Sequence, residues 1–374
     1  MSLLNETFMQ ARFGYGERCA HAALEVIEWG KGIVTKAPAL PRVANWDITY
    51  ACPLRCIHCY SESGRRPSKQ LSTTDLLRVA DALLAARVQF VNFSGGEPLL
   101  VKGFFDVAEH LRAGGVCLSM HTSGHTLGPD EVPLIHRLFH NVSVSLDGAS
   151  SAVHDRIRGF RGSFDRSIRA LSLLVEHARA AHVSGERCAK IAIDMTVIQS
   201  NLCEVEALCA DVAPRFPGLS CVRIGACVPS GLGSREGFAA QELLSPEALR
   251  SLMDPAHAAR LAASVPPGCS VQVPDVMQLR MGPDDACDGN CVQIEPNGAV
   301  RAMLIYEGTV GNLLEEPLEV LWPRALARRD DPLVKQALVN AHTMVDWAAG
   351  VRRLDMHFGD PEDRARISRR PDRL

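Results

Sequence analysis

The chain has no uninterrupted apolar stretch long enough to span a bilayer, so a helical membrane span is not expected. Its amino terminus, MSLLNETFMQARFGYGER, lacks a basic segment followed by an apolar one, and the chain reads as cytoplasmic. Net charge is scarce too: 40 Lys and Arg against 43 Asp and Glu leave −3. That balance indicates no polyanion-binding surface, so neither nucleic acid nor membrane is an expected partner. No internal repeat is visible. What is present is a chain of 374 residues, 47% hydrophobic and 22% charged, the composition of a soluble globular protein with one large or two moderate domains.

Cysteine is plentiful. Thirteen of them would be a disulfide framework in a small secreted protein, but in a long chain without an export signal they read as metal ligands and buried thiols. The odd count fits that reading. Cys52, Cys56 and Cys59 lie in ACPLRCIHCYSE as C-x3-C-x2-C, directly after a short apolar segment. Three thiolates this close in sequence can hold three corners of a four-iron cube and leave the fourth iron open to a substrate or cofactor. The competing reading is a zinc site closed by His58 or a distant cysteine. His58, adjacent to Cys59, is awkwardly placed to complete a tetrahedron with all three thiolates. Cys19, Cys117, Cys188, Cys203, Cys209 and Cys221 show no metal-like spacing together and read as buried free thiols.

Strand-like runs at Trp46 to Ala51, Val88 to Phe93, Val116 to His121, Val142 to Leu146, Ile191 to Ile198 and Val222 to Ala226 alternate with helical stretches. One helix opens at Ser72 or Thr73, where Ser72 and Asp75 have capping-box spacing; another starts at Ser163 and carries Phe164, Ile168, Leu171, Leu174 and Val175 on one face. Six strands with helical crossovers imply an α/β fold whose parallel sheet curls into a barrel or part of one, with chemistry at the strand carboxyl ends. The cysteine triplet follows the first strand, and Gly95-Gly96-Glu97-Pro98 follows the second. His121 to Gly124 follows the third, and the fourth runs into Ser145-Leu146-Asp147-Gly148. Taken alone, GGEP is better read as a tight turn, and His121 and Asp147 as satisfied rim residues.

Together these residues resemble the radical S-adenosylmethionine (SAM) superfamily. The match is the cysteine triplet, the GGEP turn one β/α unit later, and SVSLDGASSAVHDRIRGFRGSF from Ser143 to Phe164, and it covers roughly residues 45 to 235. The last stretch is similar to the branch whose members carry a SPASM or Twitch extension. The resemblance implies a partial (β/α)6 TIM-like barrel, a [4Fe-4S] cluster on Cys52, Cys56 and Cys59, and SAM bound to the open iron. It also implies reductive cleavage to methionine and a 5′-deoxyadenosyl radical that abstracts hydrogen. On the same pattern Gly95, Gly96 and Glu97, stiffened by Pro98, hold the methionine amino group; His58 lies near adenine and Ser145 near ribose. Arg158 or Arg166 pairs with the methionine carboxylate, although either could be a solvated helix-face charge. No catalytic acid or base is assigned.

The segment from Cys287 to Trp322 resembles the start of a SPASM or Twitch module: cysteines, a hairpin turning at Pro296-Asn297-Gly298, a Gly-Asn-Leu run and a helix ending in tryptophan. The chain has Met303 where the family usually has a cysteine, and none follows Cys291. An auxiliary cluster would need Cys287 and Cys291 with recruits such as Cys269 or Cys227; the favoured reading is a degenerate module that keeps its hairpin without iron. Elsewhere an amphipathic helix is expected at Cys19 to Trp29, a linker helix at Ser245-Pro246, and a frayed tail in the last fifteen residues.

The expected organisation is therefore an N-terminal extension (1–44), a radical SAM partial barrel (45–235), a linker helix (236–268), a degenerate SPASM/Twitch-like module (269–330) and a C-terminal helix with a charged tail (331–374). The resemblance favours modification of a ribosomally synthesised peptide, with a small natural-product or cofactor precursor second and a non-catalytic metal-binding scaffold third. An external electron donor such as flavodoxin or ferredoxin is implied.

Overall fold

The computed structural model describes residues 40–277 and 291–371. The helix expected at Cys19 to Trp29, and Cys19 and Cys287 themselves, lie outside the described residues. Six strands run parallel in chain order: β1 (Val43–Thr49), β2 (Phe90–Gly95), β3 (Cys117–Thr122), β4 (Asn141–Ser145), β5 (Lys190–Val197) and β6 (Cys221–Ala226). The helices between them include α1 (Thr73–Ala85), α2 (Phe104–Ala113), α3 (Glu131–Leu138), α4 (Ser151–Arg158) and α5 (Ser163–Ser184). Ser72 caps α1 by accepting from the Asp75 amide, as its spacing predicts. Ser245 likewise caps α6 (Pro246–Leu252) by accepting from the Ala248 amide.

The sheet extends past both ends of this series. β7 (Ser270–Gln272) adds parallel to β6, and β8 (Cys291–Ile294) adds parallel to β1. β9 (Ala299–Arg301) and β10 (Thr309–Asn312) continue antiparallel from β8. The Pro296-Asn297-Gly298 hairpin thus joins β8 to β9, with Gly298 at φ +81°, a left-handed conformation that favours glycine. One ten-stranded sheet therefore includes both the barrel strands and the hairpin.

Strand alternation sorts the residues into two environments. Trp46, Ile48, Phe93, Met120, Val144, Ile193 and Ile224 are fully buried in the apolar core shared with the helices. The intervening positions are polar: Asn45, Asn92, Ser94, His121, Ser145, Asp194 and Thr196 line a cavity. A packed barrel of this kind ordinarily fills its interior with branched apolar side chains. Here the interior face is hydrophilic, which leaves room for a polar ligand.

The carboxyl-terminal region departs from expectation in two places. The helix through Trp322, α7 (Leu318–Arg329), does not end there but continues through Pro323. Proline costs such a helix about 3 kcal/mol, and burial of Leu321, Trp322 and Ala325 offsets that cost. Nor is the tail frayed over its described length. Pro361–Ile367 forms a helix, α8, capped by Asp360, and Arg366 within α8 and Arg370 just beyond it pair with the buried carboxylates of Glu62, Glu307 and Asp355. The charges are matched by distant partners rather than by water.

Candidate active site

The loop after β1 carries Cys52, Cys56 and Cys59 as free thiols, and all three line one cavity of about 290 Å³ at the carboxyl ends of the strands. The loop is tied down by backbone bonds from Arg55 and Ile57 to the carbonyls of Arg158 and Ile157 (3.0 and 2.9 Å). Tyr60 donates to Asp47 (2.7 Å) and accepts from the Gly95 amide (3.1 Å), joining the loop to β1 and β2. Gly231 passes so close that a Cβ there would lie 2.0 Å from the Tyr60 carbonyl oxygen. Burial pushes the Cys52 thiol up to about 12 and Cys56 to about 11. Without a metal these thiols stay protonated; a bound cation would deprotonate them.

Gly95 and Gly96 line the same cavity. Gly96 packs against the loop so tightly that a Cβ would sit 2.1 Å from the Ala51 oxygen. Glu97 is fully buried and is not among the lining residues. Its carboxylate accepts from Thr122 Oγ1 (2.7 Å), the Ser123 amide (2.9 Å) and Ser123 Oγ (2.5 Å). Burial raises its pKa, and the Ser123 and Thr122 hydrogen bonds pull it back. Glu97 therefore shapes the turn after β3, whose Thr122 and Ser123 do line the cavity. Pro98 is buried in a short 3-10 turn and also lies outside the lining.

Asp147, read from sequence as a rim residue, is the hub of a buried network. His58 Nε2 is 2.8 Å from its Oδ2, Arg158 Nε is 2.7 Å from the same oxygen, and the Thr196 amide donates to Oδ1 at 2.9 Å. Burial opposes ionisation of Asp147, yet Arg158 and His58 hold its carboxyl well below the usual range. Arg158 also brings Nη1 to 3.9 Å from Cys56 Sγ. His58, Ser145 and Arg158 all line the cavity, whereas Arg166 is exposed, donates to the His125 carbonyl (3.3 Å) and is not brought there. His121 and Asp194 are a second pair in the lining, 3.2 Å apart.

The other cysteines are dispersed. Cys291 accepts from Asn45 at the β1 edge (3.2 Å), Cys269 precedes β7 near Cys221 and Cys209, and Cys227 is buried beside Cys59. Cys209 and Cys221 are buried free thiols as expected, but Cys203 is exposed and Cys117 is disulfide-bonded. Among the described residues no three His, Cys, Asp or Glu side chains are gathered as they would be around one metal ion. A cube differs, because each thiolate binds its own iron.

The family described as the radical SAM superfamily matches residues 46–185. Residues 46–185 are thus a radical SAM domain. Mycofactocin maturase MftC of Mycolicibacterium smegmatis is 34% identical over 195 residues, 52% of this chain and 46% of that protein. The sporulation killing factor maturation protein SkfB of Bacillus subtilis is 28% identical over 205 residues, 54% and 47% of the two chains. The chain thus matches about half the length of these curated relatives. Among solved structures, Streptococcus suis SuiB bound to S-adenosylmethionine superposes with a TM-score of 0.61 at 14% identity, covering 92% of this chain and 87% of that one. SuiB bound to its precursor peptide SuiA superposes with a TM-score of 0.58 at 13% identity, covering 85% and 70%. At these identities the likeness is one of fold.

The radical SAM family uses a [4Fe-4S] cluster and SAM, and the residues here fit both. Three free thiols open on one cavity and can hold three irons, leaving one without a protein ligand. Beside them lie a glycine turn that admits no side chain, and the polar groups of His58, Ser145, Thr196 and Asn92. Among the described residues no helix is long and apolar enough to cross a membrane.

Proposed function

We propose that this chain is a radical SAM enzyme that modifies a ribosomally made peptide, by cross-linking, epimerisation or a related change begun by hydrogen abstraction. The observation that carries the reading is the convergence of Cys52, Cys56 and Cys59 on a polar cavity beside the Gly95-Gly96 turn. A peptide is favoured because MftC and SkfB are by name a maturase and a maturation protein, and because SuiB, of the same fold, holds a precursor peptide.

In this reading the three thiolates anchor the cluster, and the Gly95-Gly96 backbone approaches the methionine amino group. His58, fixed by Asp147, borders the adenine, and Ser145 the ribose. Arg158 keeps a positive charge beside Cys56 while its pairing with Asp147 fixes its position. Bound there, cluster and SAM supply one-electron cleavage of a carbon–sulfur bond and a radical that takes hydrogen from substrate. The chain's own part is to orient and to shield. The electron comes from an external donor such as flavodoxin or ferredoxin. Residues 45–235 carry this chemistry, and 269–330 form a SPASM/Twitch-like extension without iron of its own.

The test is anaerobic reconstitution with iron, sulfide, SAM and reductant, followed by assay of 5′-deoxyadenosine and of the mass of a candidate peptide. The wild type is expected to form 5′-deoxyadenosine and to change the peptide mass. A wild type that binds iron yet yields no 5′-deoxyadenosine refutes the assignment.

A further inference from the structure

A second cavity, of about 280 Å³, opens toward the amino ends of β4 to β7. Asn141 and Lys190, the first residues of β4 and β5, line it together with Ser143, Ser220, Arg223 and Gln272. Lys190 lies at its exposed rim. Among the described residues, no Asp or Glu lines it. Its deepest cation, Arg223, is register-paired with Asp194 across β5 and β6, and Asp194 belongs to the cavity beneath the cysteine loop. The two cavities therefore meet at one side-chain layer, His121–Asp194–Arg223. Along β5, Lys190 is four residues below Asp194, about 13 Å at strand rise, the length of about four extended residues.

Arg223 is poorly matched by what the described residues offer. Its Nη1 lies 3.5 Å from Asp194 Oδ2, an oxygen that also faces His121 Nδ1 at 3.2 Å. Its Nε is buried and meets no acceptor among the described residues. A guanidinium edge without an acceptor in a dry site is unfavourable, and a carboxylate is the group whose two oxygens match that edge. The neutral hydroxyl groups of Ser143 and Ser220 can take up the rest of such a ligand without adding a competing negative charge.

We propose that this lower cavity is a carboxylate pocket: the substrate's acid group docks on the Nε edge of Arg223, with Lys190 at the rim, and the remainder passes the His121–Asp194 layer toward the cysteine loop. It rests on the proposed radical reaction only for what happens to the ligand, since acid binding requires no SAM cleavage. The same chemistry serves the terminal carboxylate of a peptide or a small free acid.

The experiment uses the anaerobically loaded full chain at fixed ionic strength and measures apparent Kd by calorimetry for four probes: N-acetyl-dialanine, its carboxamide, succinate and succinamide. At least one acid is expected to bind about tenfold or more tightly than its matched amide, the scale of a hydrogen-bonded charge; which acid prefers the site separates peptide from small molecule. Arg223→Gln should bring the acid-to-amide ratio close to one, and Arg223→Lys should keep part of it. Ser143→Asp, which places a carboxylate inside the cavity, should remove acid binding even if Arg223→Gln proves unfolded. No preference for either acid in the wild type, or a preference that survives both Arg223→Gln and Ser143→Asp, overturns the pocket. SAM cleavage measured on the same wild-type sample is a separate arm: its absence with acid binding intact sinks the reaction and leaves the pocket standing.

Discussion

Arg370 holds Glu62 Oε1 from two nitrogens, Nε at 2.9 Å and Nη2 at 2.6 Å, so the carboxyl-terminal segment grips the loop that carries the three cysteines. Arg235 supports the same contact, donating to the Ile57 carbonyl (2.9 Å) and to the Pro371 carbonyl (3.0 Å). Removing Arg370 takes the arginine from buried Asp355 and leaves Glu62 to Arg366 alone, at a cost on the order of 3 kcal/mol. Arg370→Ala should therefore lower Tm and speed loss of iron from the loaded protein to a chelator. Iron release at the wild-type rate would show that the grip does not support the loop.

Glu97 offers a different expectation, because its carboxylate faces three strong donors and not the cavity. Glu97→Gln keeps the shape but turns an NH2 group toward either Thr122 or Ser123, leaving a buried donor unmatched at about 1–3 kcal/mol. The expected outcome is full iron content with weaker SAM affinity, through displacement of the Thr122–Ser123 turn. Equilibrium dialysis with labelled SAM measures it. Unchanged affinity would mean that the turn holds without the carboxylate.

His136, in α3, gives a pH dependence of its own. Its Nδ1 accepts from the Ala189 amide (3.2 Å), so the proton sits on Nε2, which faces the Leu174 carbonyl (3.0 Å). A second proton on Nδ1 would point at that amide. Burial, then the stacked His177, lowers its pKa from 6.5 to about 4. The unfolded chain thus takes up the proton first: this contribution to stability is complete above pH 6.5 and is lost as pH falls toward 4. Tm measured across that window should fall with pH, and less steeply in His136→Gln. An equal slope in the variant would remove His136 as a cause.

The six barrel strands were legible because their outward residues form short apolar runs, and the caps at Ser72 and Ser245 because capping is local. What lay beyond reach was non-local. Arg366 and Arg370 sit in a charged run that reads as a solvated tail, and only the fold brings Glu62, Glu307 and Asp355 to them. Asp147 looked like one polar residue at a strand end. Its role comes from His58, Arg158 and Thr196, which arrive from three other segments. GGEP was found by pattern, yet the pattern gave Glu97 to the ligand, whereas the fold engages it with Thr122 and Ser123. One local signal was available and unused: Asn45, Asn92, Ser119, Ser143, Asp194 and Arg223 put a polar residue at alternate positions of every central strand, the mark of a hydrophilic barrel interior.

The central claim is that Cys52, Cys56 and Cys59 hold a cluster with one iron open to SAM. Electron paramagnetic resonance of the anaerobically loaded, reduced protein, recorded with and without SAM, tests it most directly. The account predicts a reduced-cluster signal that changes on SAM addition and is absent in Cys56→Ala along with the corresponding iron. A spectrum indifferent to SAM, or a signal that persists in Cys56→Ala, would contradict it.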